Sequence, residues 1–335
     1  MKTRKVGDKQ LNIDTALVLS GGGAKGAYQV GVIKGLLRMG LKFQLITGSS
    51  IGAFNGALLA EFINSGYSNR KIGEELERVW LEVDNFLTFN WSGFLCNLCN
   101  PANIPSIFIN KIIREALCKF VPEERSFSDY TRCQLSVTGT NLNRKKLEIF
   151  DFNSPVPVVE AVLASMAFPV AFPAVNIEGD NYIDGGVLSN APLKEAILWG
   201  VRNIYIIFLT PLHIVEGKDN DNREKEEFSA LETIEEFIDL ASNKLMYGDL
   251  ERAEQINYLI KLLNRYEGRL PRDFSRELSR LFGLRYGDGK RIIRIEKIAP
   301  EEVLEPPGLA GFNDKDTLKE LIAKGERDAC KVFSG

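Results

Sequence analysis

The chain alternates short apolar runs with stretches of helical periodicity. Positions 16–19, Ala-Leu-Val-Leu, are an unbroken apolar run that ends at Ser20-Gly21-Gly22-Gly23. A run of this kind closed by glycine predicts a buried strand breaking into a loop. Tyr28, Val32, Leu36 and Leu37 then recur at helical spacing, with Gly40 as the stop. A second strand is expected over 43–47. It leads into Gly48-Ser49-Ser50-Ile51-Gly52 and a helix over 53–62 that is rich in small residues. Strand, loop, helix, strand, turn, helix is the opening of a parallel α/β sheet.

Downstream, 135–139 and 147–150 predict strands, and 158–166 a helix that Pro169 and Pro173 end. Tyr182-Ile183 reads as a strand running into Asp184-Gly185-Gly186. A short helix over 193–199, an apolar strand over 203–209 and a charged connection over 214–227 follow. Residues 228–266 are helical, with Gly248 as a point where two helices could divide. A late strand is expected at 291–298. Residues 86–108 differ in texture, with Phe86, Phe89, Trp91, Phe94 and Phe108 set among Asn, Gly and Pro. Their apolar surface either folds onto the core or meets substrate or lipid. The resulting expectation is an α/β chain with three α/β/α layers, a mostly parallel central sheet and a helical C-terminal extension. A core over 14–210 would carry residues 211–335 packed on it, as one continuous domain.

Composition narrows the chemistry. The 335 residues are 44% hydrophobic and 26% charged, ordinary globular values that exclude a disordered or fibrous chain. A net charge of −3 supplies no basic field for a nucleic-acid backbone, so no nucleic-acid partner is expected. Five cysteines are too few for a disulfide scaffold. Cys96 and Cys99 make one C-x-x-C with no second pair, and His213 is the only histidine, so no metal is expected. No stretch reaches the roughly 18 apolar residues of a membrane span. The basic start, Met1-Lys2-Thr3-Arg4-Lys5, is followed by polar residues rather than the apolar core of a Sec signal. These features point to the cytoplasm, with export by another route left open.

Three motifs carry chemistry. Gly48-Ser49-Ser50-Ile51-Gly52 fits G-x-S-x-G with Ser50 central. A strand turning sharply into a helix exposes the Ser50 hydroxyl, and flanking glycines admit the neighbouring backbone. Gly21-Gly22-Gly23-Ala24-Lys25-Gly26 reads in two ways. One is a dinucleotide loop, although the second strand offers no acid for a ribose. The other is an oxyanion hole made of glycine N–H groups at a helix N-terminus. Lys25 opposes the helix dipole there, which favours a functional role over that of a solvated surface cation. Asp184-Gly185-Gly186 alone is a turn, but beside a serine elbow Asp184 becomes a candidate general base.

Taken together and in this order, the three motifs resemble the patatin-like phospholipase family. Ala164-Ser165-Met166-Ala167-Phe168-Pro169 and Phe172-Pro173-Ala174-Val175 are also similar to that family's stretch before the aspartate. The resemblance runs from about Asp14 to Leu209. It implies a three-layer α/β/α fold and cofactor-free, calcium-independent hydrolysis of acyl esters in lipids. It makes Ser50 the nucleophile and Asp184 its base, with Gly21 to Gly26 as the oxyanion site. Gly48 and Gly52 then form the elbow, and Gly185 and Gly186 the base loop. The expected partner is a phospholipid or another acyl-ester lipid, with peripheral membrane contact.

Two alternatives stay open: a Ser50-Asp184-His213 triad, and a nucleotide-binding module built on Gly21 to Gly26. For membrane contact the candidates are 86–108 and the basic stretch 269–294. The latter has eight basic and three acidic residues, with Arg272, Arg276 and Arg280 on one helical face.

Overall fold

The structure is a computed structural model. It describes residues 5–6, 9–10, 13–82, 110–169, 171–216, 230–266, 292–305, 312 and 314–332, with isolated positions 269, 271, 273–274 and 276–277. The aromatic stretch 86–108 with Cys96 and Cys99 lies outside the described residues, as do most of 269–294 and most of the charged connection 214–227.

A two-stranded antiparallel pair, β1 (Lys5–Val6) and β2 (Lys9–Gln10), precedes the main sheet. That sheet has eight strands in the order β10-β9-β3-β4-β5-β8-β7, with β6 also paired to β5. They are β3 (Thr15–Leu19), β4 (Leu45–Gly48), β5 (Gln134–Asn141), β6 (Lys146–Phe150), β7 (Val175–Ile177), β8 (Asp180–Asp184), β9 (Asn203–Ile207) and β10 (Arg294–Ile298). From β10 through β9, β3 and β4 to β5 the pairing is parallel, and β6, β7 and β8 add antiparallel pairs. The mostly parallel α/β sheet expected from the sequence is therefore present.

Side-chain alternation builds the layers. Leu17, Leu19, Ile46 and Ile207 enter one apolar core, and Ala16, Val18, Leu45 and Ile206 enter a second. Successive strand residues point to opposite faces, so each apolar run feeds two cores. Helices α1 (Gly26–Arg38), α2 (Ile51–Asn64), α3 (Asn69–Glu82), α4 (Lys111–Cys118) and α5 (Val158–Ser165) cover the first face. Helices α6 (Leu193–Leu198), α7 (Leu212–Val215) and α8 (Ala230–Arg265) cover the second. Both faces are covered, which is why the central strands read as apolar runs rather than as alternating ones.

α9 (Lys315–Lys331) joins the first face by lying along α1. The two helices cross where glycine permits: a Cβ on Gly31 would strike the Ile322 carbonyl, and one on Gly325 the Tyr28 carbonyl. The Tyr28 hydroxyl donates to Asp328 at 3.0 Å, and Lys34 pairs with both Glu77 of α3 and Glu326 of α9.

Several expectations need adjustment. The stretch 228–266 is one helix that passes through Gly248 without a break. Gly248 is exposed and has open space around it, so it costs the helix about 1 kcal/mol without interrupting it. The late strand begins at Arg294 rather than 291, and β4 covers Leu45–Gly48 rather than 43–47. Helices α3 and α4 were not anticipated, and α9 lies in the expected helical C-terminal extension without having been placed within it.

Candidate active site

β5 brings the site together. Its Val137 pairs with Gly48 at the end of β4, and its Gly139 pairs with Asp184 at the end of β8. The hairpin partner β6 occupies the opposite edge of β5 over Val137 to Asn141. Strands β4 and β8 therefore share one edge and run toward each other, so their C-terminal ends meet over Val137 to Gly139.

Ser50 sits between β4 and α2 with φ 53° and ψ −127°, a backbone region that a non-glycine residue enters only when its surroundings force it. Close packing supplies the force. A Cβ on Gly48 would collide with the Gly52 carbonyl, and one on Gly52 would lie 2.5 Å from the Leu19 oxygen and 2.7 Å from that of Ser20. The elbow glycines thus let α2 start tight against the ends of β4 and β3. Ser50 itself is half-buried.

From this position Ser50 Oγ donates to Asp184 Oδ2 at 2.6 Å. The distance is typical of a hydroxyl bonded to an ionised carboxylate. Asp184 is 2% exposed. Its Oδ1 accepts the Gly186 N–H at 2.7 Å, its N–H donates to the Ala167 carbonyl at 2.9 Å, and its carbonyl accepts from Thr140 Oγ1 at 2.9 Å. Gly185 is a glycine because a Cβ there would overlap Thr138. On the same strand, burial, reinforced by a bond to Glu148, pushes the Tyr182 phenol up to about 12.

The glycine loop reaches the same place. A Cβ on Gly21 would lie 3.0 Å from that of Ser50. Not every residue of the loop is free to donate, however. Gly21 N–H goes to Asn190, at 2.8 Å to Oδ1 and 3.0 Å to the carbonyl, and Gly26 N–H goes to Gly23 and Ala24. Gly22 and Gly23, at φ 148° and 57°, are half-buried, and among the described residues their N–H groups have no acceptor. Ala24 is buried, and Lys25 is 8% exposed in the short 3-10 turn that opens α1, so it is not a solvated surface lysine.

Sequence reasoning gave no role of their own to two residues that touch this centre. Ser165 Oγ accepts the Ser50 N–H at 2.9 Å, and Asn190 ties the glycine loop to the chain just after the base loop. Both partnerships span more than a hundred residues, and no local pattern signals them. His213 is exposed on α7 and has no hydrogen bond to Ser50 or Asp184. Among the described residues no cluster of His, Cys, Asp or Glu could hold a metal ion, and no helix is long and apolar enough to cross a membrane. The arrangement combines a hydroxyl in contact with a buried carboxylate and nearby open N–H groups, which is what acyl transfer requires.

Several known proteins are similar to this chain. The lysophospholipase NTE1 of Lodderomyces elongisporus is 27% identical over 199 residues, which is 58% of this chain and 12% of that protein. The probable lipid hydrolase 463L of Invertebrate iridescent virus 6 is 28% identical over 190 residues, 54% of this chain and 62% of that protein. The match thus spans less than two thirds of either relative. Among solved structures, VipD from Legionella pneumophila has a TM-score of 0.42 at 17% identity, covering 97% of this chain and 67% of that one. The family described as patatin-like phospholipase matches residues 17–197, from the middle of β3 through the base loop and into α6. By that match over more than half of its length, the chain belongs to the patatin-like phospholipase family.

Proposed function

We propose that this chain is a lipid acyl hydrolase of the phospholipase A or lysophospholipase type, working through a Ser50-Asp184 dyad. The observation that carries the proposal is the 2.6 Å bond from Ser50 Oγ to a carboxylate that is itself held by Gly186 N–H. Ser50 Oγ attacks the ester carbonyl carbon as Asp184 takes the hydroxyl proton. The tetrahedral oxyanion is met by the N–H groups of Gly22 and Gly23. Collapse breaks the ester C–O bond, and Asp184 returns the proton to the departing alcohol or lysolipid. Water, deprotonated by Asp184, then attacks the acyl-enzyme. The fatty acid leaves, and the proton passes back to Ser50.

Family membership and the names of the relatives support a lipid ester as substrate. A substrate held in a bilayer asks for peripheral contact with that bilayer, from the cytoplasmic side in this reading. The commitment of Gly21 N–H to Asn190 disfavours a dinucleotide loop, which needs that backbone open to a pyrophosphate.

The decisive experiment pairs turnover of a p-nitrophenyl acyl ester with analysis of products from a mixed phospholipid extract. Wild-type protein should release free fatty acid, and Ser50→Ala should lose at least about a thousandfold in kcat while keeping its circular dichroism spectrum. A folded Ser50→Ala variant that still turned over would end the proposal.

A further inference from the structure

We propose that Ser165-Met166-Ala167, at the C-terminal end of α5, sets the spacing of the dyad, and that Ser165 is a positioning residue acting through Ser50. The inference rests on the Ser50-Asp184 reading and assigns a role to a segment that reading leaves unused.

Three consecutive residues hold the backbone donors of both partners. Ser165 Oγ accepts the Ser50 N–H at 2.9 Å, and two residues later the Ala167 carbonyl accepts the Asp184 N–H at 2.9 Å. Ser50 needs such an acceptor. At φ 53° its N–H has left the β4 ladder, and it precedes the first turn of α2, so neither element offers it a carbonyl. Ser165 is 0% exposed, so no water stands ready to replace its hydroxyl.

The segment is rigidly mounted. At the other end of α5, Val158 N–H donates to the Arg125 carbonyl at 2.9 Å. The Arg125 guanidinium grips Glu61 of α2 through two bonds, at 2.8 and 2.9 Å. Helices α2 and α5 are therefore joined at both ends, once through Ser50 and Ser165 and once through Glu61, Arg125 and Val158. Within that frame, the reach from Ser165 Oγ to the Ala167 carbonyl fixes how far the nucleophile stands from its base.

Ser165→Ala and Ser165→Cys test this together, since cysteine fills the place of the hydroxyl with a poor acceptor, whereas alanine leaves it empty. Each variant should lose about 10- to 100-fold in kcat, the cost of a buried N–H left without a partner, with KM within about twofold of wild type. Labelling of Ser50 by an organophosphonate should slow to the same extent. Ser165→Thr, which retains the hydroxyl, should recover most of the loss if circular dichroism shows it folded; otherwise the alanine and cysteine pair decides. Turnover within about twofold of wild type in Ser165→Ala, or a normal cysteine variant beside a damaged alanine one, would overturn the inference and leave Ser165 as packing. Ser50→Ala is measured in parallel. If it is inactive while the Ser165 variants are normal, only the positioning role falls. If it is active, the dyad falls and takes this inference with it.

Discussion

At the scale of single residues, the elbow was legible because its requirement is local. Positions 48, 50 and 52 meet one another and the end of β3, and the order of small and apolar residues there already states that a strand must turn into a helix at close quarters. The place of Asp184 beside Ser50 was readable only in company, since nothing in Asp-Gly-Gly itself distinguishes such a residue from an ordinary turn. Ser165 was readable only as part of a stretch resembling the family's, and Asn190 not at all, because their contacts lie with partners 115 and 169 positions away. His213 tests the reading at this scale. A triad needs the imidazole between the serine and the carboxylate, but Ser50 Oγ bonds Asp184 Oδ2 directly at 2.6 Å and His213 is exposed on α7. His213→Ala should therefore keep kcat/KM within about twofold of wild type from about pH 5 to about pH 9, where imidazole titrates. A loss of several orders of magnitude in a folded variant would restore the triad.

At the scale of elements, the helices that escaped notice carry patterns no weaker than those that did not. α3 buries Ile72, Leu76, Val79 and Trp80, and α9 buries Leu318, Leu321, Ile322 and Ala329, both at three- and four-residue spacing. What could not be read is where α9 goes, because its seat on α1 depends on two glycines meeting backbone from different ends of the chain. The antiparallel direction of β7 and β8 was equally hidden, since alternation within a strand says nothing about its partner's heading. The α1–α9 crossing makes a specific prediction. Gly325→Ala places a methyl group against the Tyr28 carbonyl, where no flexible side chain can yield, so the helices must separate. A loss of about 1–3 kcal/mol in stability is expected from thermal or denaturant unfolding. Because α1 begins at the glycine loop, turnover at moderate temperature should suffer along with stability. Unchanged unfolding would mean the crossing is looser than its geometry indicates.

At the scale of the whole molecule, the second face of the sheet contains a charge that works against folding. Burial raises the carboxyl of Asp249 on α8, opposed in smaller measure by Lys194 and Arg252. A carboxyl that binds its proton more tightly when folded lowers stability as pH rises from its unfolded value through its folded one, and the deficit is complete above the latter. Asp249→Asn should accordingly raise the melting temperature near pH 7, and the gain should shrink as pH falls toward about 4, where aspartate protonates in the unfolded chain too. A gain independent of pH would place the cause elsewhere. The meeting of β4 and β8 end to end on one edge of β5 has a consequence of a different kind. Sliding β8 by one residue would turn Asp184 to the opposite face of the sheet, so no intermediate register offers a weaker pairing with Ser50. Nor can the two halves of the site meet early, since Asp184 meets β5 only after the chain has passed through β6, α5 and β7. The contact between Ser50 and Asp184 is thus all-or-none for each molecule: a copy with β8 in the wrong register does not hold it at all, and a chain still emerging from synthesis has not yet brought Asp184 to Ser50.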